Sequence, residues 1–114
     1  MEFEMLPEYE KDFKRLSKRY RTLESDMEVV RRVLTVRPGA SPPHSIRIEG
    51  LGITDCVIKM RRIASDSLKG RGSNSGLRLI YAHYEKENRI ILVELYHKSD
   101  KENEDRERIR RYFR

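Results

Sequence analysis

The stretch from Asp55 to Asn103 constrains the fold most, because it has the pattern of three consecutive strands of one sheet. Apolar residues alternate with polar ones, or form short apolar runs, over residues 56–63, 77–85 and 89–97. The tight turn around residues 86–88 and the polar stretch before residue 77 favour an antiparallel meander. The same stretch carries five side chains that are unusual on or beside a sheet, namely Lys59, Arg61, Arg78, His97 and Lys98.

The first of these strands has one apolar and one cationic face. Apolar residues recur at every second position from Cys56 to Met60, whereas Lys59 and Arg61 point to the other side. Lys and Arg (25 residues) exceed Asp and Glu (19 residues), which gives a formal net charge of +6. This balance suits a polyanion or an acidic protein as a partner, and the cationic strand face favours a phosphate or a nucleic acid.

Two helices are predicted before the sheet. The segment MEFEML is a candidate first strand that ends at Pro7, and residues 7–21 then show helical periodicity. Ser25 or Thr22 is positioned to cap the second helix. The apolar stripes of the two helices consist of Tyr9, Phe13, Leu16 and Tyr20, and of Leu23, Met27, Val30 and Leu34. Outside the first stripe lie the cations Lys11, Lys14, Arg15, Lys18 and Arg19.

The remaining segments complete a single α+β domain over residues 1–114. Prolines and glycines predict a loop over residues 35–55, with at most a short extended piece around residues 46–48. Glycines and serines over residues 65–76 predict a mobile loop. The tail forms a short C-terminal helix, in which Tyr112 and Phe113 pack on the core. The expected architecture is an N-terminal strand and a helical hairpin packed on a small antiparallel sheet.

Several functional classes are disfavoured. The single cysteine, Cys56, excludes a disulfide framework and a multi-thiolate metal site within one chain, and a reducing cytoplasm fits it. Its apolar strand position assigns it to the core. His44, His83 and Cys56 are too scattered for a metal site, so we expect neither a metal nor a cofactor. No apolar stretch approaches the length of a membrane span, and we expect no membrane partner.

The order and spacing of these segments resemble the RelE/ParE family of toxins from type II toxin-antitoxin systems, and especially its RelE-like branch. The resemblance covers nearly the whole chain. It rests on FKRLSKRYRTLESDMEVV in the hairpin, VIKMRRI in the next strand and GLRLIYAHYEKENRIILVELYHKSDKEN in the last two strands. It implies an antitoxin partner, contact with operator DNA only through the antitoxin complex, and cleavage of mRNA on the ribosome.

The resemblance also implies roles for the cations on the strands. Lys59 would act as the base for attack of a 2′-hydroxyl on the adjacent phosphate, with its pKa depressed by the neighbouring Arg61 and Arg78. Arg61 would hold phosphate, and Arg78 matches the family's central arginine. Lys98 takes the basic position at the last strand end, where Ser99 follows in place of an arginine. The family's catalytic tyrosine has no secure counterpart, which leaves the general acid open. His97 is a candidate for that role, and a structural role for this histidine is the alternative.

Alternatives to this scheme remain. Lys11, Lys14, Arg15 and Lys18 can contact ribosomal RNA, receive an acidic antitoxin segment or form an ordinary solvated helix face. Tyr112 is a candidate for stacking on an RNA base. The cations on the strands can instead pair with Glu85, Glu94 or antitoxin carboxylates. At the level of function, the rivals are a ParE-like inhibitor of DNA gyrase and an inactive toxin homologue that only binds its antitoxin.

Overall fold

Strands and helices follow one another in the order that the sequence periodicity predicts. A computed structural model of the chain describes residues 1–68 and 74–114. A short 3-10 helix, Asp66–Leu68, lies between the third and fourth strands. The elements are β1 (Glu2–Met5), α1 (Pro7–Ser17), α2 (Leu23–Val36), β2 (Ser45–Arg47), β3 (Cys56–Met60), β4 (Leu77–Tyr84), β5 (Arg89–His97) and α3 (Arg106–Tyr112).

One five-stranded sheet has the order β1-β5-β4-β3-β2. The antiparallel meander β3-β4-β5 and the α+β class are confirmed. Strand β1 runs parallel to β5, so the sheet is mixed rather than purely antiparallel. Strands β1 and β5 are separated by most of the chain, so no tight turn between them requires an antiparallel direction. The short extended piece expected near residue 46 is the edge strand β2, which pairs with β3.

The helical hairpin buries both predicted apolar stripes. All four apolar residues of the α2 stripe are buried, and so are Tyr9 and Leu16 of α1. Helix α1 begins at Pro7 as expected but ends at Ser17, and Tyr20 lies in the turn that follows while remaining buried. Thr22 occupies the N-cap position of α2, yet its hydroxyl bonds Asp26 and Ser67 instead of a helix N–H.

The two faces of the sheet are covered by different parts of the chain. On one face, the Tyr20 ring stacks on His97 and the Tyr81 hydroxyl donates to the Pro38 carbonyl, so this is the hairpin face. On the other face, the segment before α3 contacts Lys59 and Glu94. A β-bulge in β5 leaves Val93 without a partner on β4. The predicted alternation of His97 with residues 91 and 93 is therefore broken, because a bulge reverses which face the following residues occupy.

The connection between β3 and β4 contacts the helical hairpin. Part of the stretch predicted as a mobile loop, residues 69–73, lies outside the described residues. Immediately before it, the Ser65 hydroxyl donates to the buried Asp26 carboxylate at 2.6 Å. Cys56 is partly buried and packs against the core. Across residues 1–68 and 74–114, no helix is both long and apolar enough to span a membrane.

Candidate functional site

Strand register brings two of the predicted cations to one face of the sheet. Lys59 pairs with Ile80, which pairs in turn with Glu94, and the neighbouring row joins Arg78 to Tyr96. We call this surface the Lys59 face. It consists of Lys59, Arg78, Ile80, Glu94 and Tyr96. Lys59 and Arg78 are diagonal neighbours on adjacent strands, a spacing that two long side chains can bridge.

Lys59 is bound by a carboxylate of its own chain. Its Nζ atom lies 3.1 Å from Glu104 Oε1, and the two side chains are only 13% and 5% exposed. The same Nζ atom lies 6.0 Å from the centre of the Tyr96 ring. The positive charge of Lys59 is therefore shielded from solvent and already compensated.

Glu104 is held between two cations. Its second oxygen, Oε2, accepts from Arg106 Nε at 3.1 Å. Burial raises the pKa of the Glu104 carboxyl, but its backbone N–H, the Lys59 hydrogen bond and the nearby positive charges outweigh burial, and the pKa is lowered overall. Glu104 is thus kept ionised beside Lys59.

Glu94, on β5, binds the segment before α3 that carries Glu104. It is 1% exposed, forms an ion pair with Lys101 and accepts from the Asp105 N–H at 2.8 Å. One alternative was that the strand cations pair with Glu85 or Glu94. Lys59 is indeed paired within the chain, but its partner is Glu104. Glu85 is exposed and forms no ion pair within residues 1–68 and 74–114.

Tyr96 lies opposite Arg78 and was not predicted as a site residue. It is 2% exposed, and its hydroxyl makes no hydrogen bond with the described part of the chain. Burial raises the pKa of the Tyr96 phenol, and the positive charge of Lys59 offsets part of that effect. A neutral phenol can donate a proton.

Arg78 uses only part of its guanidinium within the chain. Its Nη1 atom donates to the Arg61 carbonyl at 2.8 Å and to the Leu77 carbonyl at 3.3 Å. Neither Nε nor Nη2 bonds another of the described residues. Within the described residues, the Nε and Nη2 donors of the guanidinium thus have no partner, which leaves them available to an anion.

Arg61 and Lys98 lie at the ends of strands. The Arg61 N–H donates to the His44 carbonyl just beyond β3, and the Lys98 N–H donates to the Gly76 carbonyl just beyond β5. Lys98 is exposed, and Arg61 is partly buried. The hydrogen bond from Arg78 to the Arg61 carbonyl places Arg61 beside the Lys59 face.

His97 does not belong to this face. Its Nδ1 atom lies 2.7 Å from Ser99 Oγ and its Nε2 atom lies 3.0 Å from the Ser75 carbonyl oxygen. The ring stacks on Tyr20 with centroids 5.8 Å apart, and the residue is 8% exposed. The structure therefore separates His97 from Lys59 by the thickness of the sheet. Ser99, which departs from the family pattern, is a partner of this histidine.

The predicted RNA-binding cations form a row on α1. Lys11, Lys14, Arg15 and Lys18 are all exposed, and Arg15 makes a 3.6 Å ion pair with Asp12. Helix α1 packs against β5, where Asp12 accepts from the Leu95 N–H, and among the described residues none of these cations bonds a member of the Lys59 face. The structure does not bring the two sets of cations into one site.

Tyr112 and Phe113 have different environments. Phe113 is 3% exposed, as core packing predicts, whereas Tyr112 is 44% exposed. The Tyr112 hydroxyl donates to Glu8 Oε1 at 2.7 Å. This hydrogen bond raises the pKa of the Tyr112 phenol and lowers the pKa of the Glu8 carboxyl. The core-packing expectation for Tyr112 is wrong, and its ring remains accessible.

Sequence reasoning named Glu94 only as a pairing alternative and missed Tyr96, Glu104 and Arg106. Alternation in β5 does place Glu94 and Tyr96 together, on the face of the strand opposite to His97. Glu104 and Arg106 had no such signal, because Glu104 lies in an irregular segment 45 residues away from Lys59. Among the described residues, no group of three His, Cys, Asp or Glu side chains is placed to hold a metal ion.

Comparisons with known proteins do not assign a family. No protein-family model, no curated protein and no solved structure matches the chain. The resemblance to RelE-like toxins therefore stays a prediction from the residues quoted above.

Proposed function

We propose that the protein is a RelE-like toxin that cleaves mRNA on the ribosome and is neutralised by an antitoxin. The observation that carries the proposal is the grouping of Lys59, Arg78 and the Arg61 backbone at one end of one sheet face. Cleavage through a 2′-hydroxyl needs a base, a proton donor and cations that stabilise the charge of the phosphorane. Arg78 supplies a guanidinium whose Nε and Nη2 donors have no partner among the described residues and would bind the phosphate. Lys59 would act as the base and Arg61 would hold phosphate.

For the proton donor, the geometry favours a candidate that was not predicted from the sequence. Tyr96 lies on the Lys59 face, and its hydroxyl has no hydrogen-bonding partner among the described residues, whereas His97 lies on the hairpin face with both ring nitrogens bonded. We therefore favour Tyr96 over His97 as the general acid. Lys98 borders the strand end and would contact the substrate backbone.

An exposed apolar stripe on α2 supports the antitoxin as a partner. Val29, Val33 and Val36 are 51%, 49% and 78% exposed, which is uncommon for three neighbouring valines on a solvated helix. Arg32 and Arg37 flank them, and a cavity of about 340 Å³ opens beside the stripe. An apolar and acidic segment, such as the one an antitoxin would provide, would complement this surface. The proposal implies a cytoplasmic protein.

The test is cleavage of translated mRNA by the purified protein in a reconstituted translation system. Wild type is compared with Arg78→Ala and Lys59→Ala, and with Lys86→Ala in the exposed β4–β5 turn as a control. We expect either site substitution to reduce the cleavage rate by about 100-fold or more, as for other groups that stabilise transition-state charge, with Lys86→Ala unchanged. Arg78→Lys separates loss of charge from loss of the guanidinium fork.

A second candidate follows from the Lys59–Glu104 ion pair. A toxin homologue that only binds its antitoxin needs no free base, and Lys59 is neutralised in the structure. Growth arrest without mRNA cleavage would instead point to the gyrase alternative. Absence of both arrest and cleavage, with the wild-type protein folded, would favour the homologue that only binds.

A further inference from the structure

Residues 101–106, here called the strap, cover Lys59 with a carboxylate. Each oxygen of Glu104 meets one cation, since Oε1 lies 3.1 Å from Lys59 Nζ and Oε2 lies 3.1 Å from Arg106 Nε. Two cations that share one oxyanion are the arrangement that proteins use to bind phosphate. Glu104 therefore occupies a place suited to an RNA phosphate.

The strap has the properties of a part that can move. Its residues before Arg106 belong to no helix or strand. It is held on the sheet by Glu94, which pairs with Lys101 and accepts from the Asp105 N–H. The contacts of Arg106 and Lys101, which are 45% and 39% exposed, contribute little net stability. The Lys59–Glu104 pair is largely buried, so an anion that takes the place of Glu104 costs less than a broken pair would. A polyanion with several phosphates can compete with such contacts.

We propose that Glu104 is an internal competitor for RNA and that Arg106 is a further phosphate-binding residue, available when the strap is displaced. This inference rests on the function proposed above. In the free protein Glu104 fills the anion position between Lys59 and Arg106, and RNA binding to the Lys59 face requires that the carboxylate leave. Displacement frees the Lys59 amine and exposes the buried Tyr96 together. The strap thus keeps the free protein in a low-activity form.

The test measures binding of a fluorescein-labelled 2′-O-methyl RNA oligonucleotide by fluorescence anisotropy. The 2′-O-methyl group blocks the attacking hydroxyl, so binding is measured without cleavage. Glu104→Gln keeps the size of the side chain and removes its charge. Glu102→Gln is the matched control, because Glu102 lies in the same strap, is exposed and forms no ion pair with the described residues. Both variants change the net charge equally.

We expect Glu104→Gln to tighten RNA binding by about tenfold and Glu102→Gln by less than about twofold, since only the first removes the anion in contact with Lys59. In a Lys59→Ala background, Glu104→Gln should give no such gain. In the double variant Glu104→Gln with Arg106→Gln, most of this gain in RNA affinity should be lost. Equal effects of Glu104→Gln and Glu102→Gln would overturn the inference, because the gain would then reflect net charge alone.

Wild-type protein provides a second readout if Glu104→Gln does not fold. Inorganic pyrophosphate is titrated into ¹⁵N-labelled protein, and the NMR signals of Lys59 Nζ and Arg106 Nε should shift together and saturate. No shift at either nitrogen overturns the inference. Cleavage of translated mRNA is scored separately. Tighter RNA binding by Glu104→Gln without any cleavage would reject the ribonuclease function but support the exchange of Glu104 for RNA. Cleavage with equal RNA affinities of the two variants would support the ribonuclease function and reject the exchange.

Discussion

His97 shows how one residue at a strand end is fixed by its surroundings. The ring lies between Tyr20 on one side and Gly76 on the other, and both ring nitrogens have hydrogen-bonding partners. Gly76 has a φ of +95°, a conformation that side chains with a Cβ rarely adopt. The glycine is needed for both its backbone angle and its lack of a side chain.

Gly76→Ala should be strongly destabilising. A Cβ atom at this position would lie 2.5 Å from His97 Nε2, far inside van der Waals contact. We expect a loss of about 2–4 kcal/mol in the free energy of unfolding, from steric overlap and from the positive φ. Chemical denaturation followed by circular dichroism measures this loss.

Gly39→Ala is the control for this substitution. A Cβ there would meet nothing within 4 Å, so we expect a change of less than about 1 kcal/mol. His97→Ala should relieve part of the cost of Gly76→Ala, since the two residues are in contact and their effects should not add. Simple additivity would show that the positive φ, and not the His97 ring, causes the loss.

At the scale of elements, the edge of β5 beyond β1 is closed by side chains. Strand β1 pairs with β5 only as far as Leu92. Beyond that point, Asp12 Oδ2 accepts from the Leu95 N–H at 3.1 Å, and Arg108 Nη1 donates to the Val93 carbonyl at 3.0 Å. Arg108 Nη1 also lies 2.7 Å from Asp12 Oδ2. One ion pair thus ties α1, β5 and α3 together and satisfies backbone groups that an open edge would leave unpaired.

Removing either member of this pair should destabilise the fold. The side chains of Asp12 and Arg108 are 6% and 12% exposed, so each substitution leaves a largely buried charge without its partner. We expect Asp12→Ala and Arg108→Met each to lower the free energy of unfolding by about 3 kcal/mol, measured by denaturant titration. The double variant should lose clearly less than the sum of the two. A fully additive double variant would contradict a direct interaction between them.

At the scale of the whole molecule, cations occupy two separate surfaces. One is the exposed row along α1, and the other is the Lys59 face under the strap. A protein that holds mRNA at one surface while resting on ribosomal RNA at another would need such a distribution. The first surface would determine cleavage, and the second would contribute affinity that depends on salt.

Replacing the lysines of the α1 row should change the salt dependence of ribosome binding. Each phosphate contact contributes nearly one unit to the slope of log affinity against log salt concentration, so Lys11→Gln, Lys14→Gln and Lys18→Gln together should reduce the slope by about 2–3 units. Sedimentation with ribosomes at several salt concentrations measures this slope. The matched control is Arg32→Gln, Arg47→Gln and Lys86→Gln, which removes the same charge from other exposed positions. Equal slopes for the two triple variants would mean that the α1 row has no specific role.

The sequence by itself determined the elements and their order, since hydrophobic periodicity is a local property of the chain. The two helical stripes, the meander and the α+β class follow from it, as does the presence of Lys59 and Arg78 on adjacent strands. Only the tertiary structure decided which groups surround them. The Val93 bulge breaks the alternation within β5. The burial of His97 beneath Tyr20 and the Lys59–Glu104 ion pair depend on the path of irregular segments, which have no periodic signal. Cations can be located on strands from sequence, but whether their charge is free depends on contacts between residues far apart in the chain.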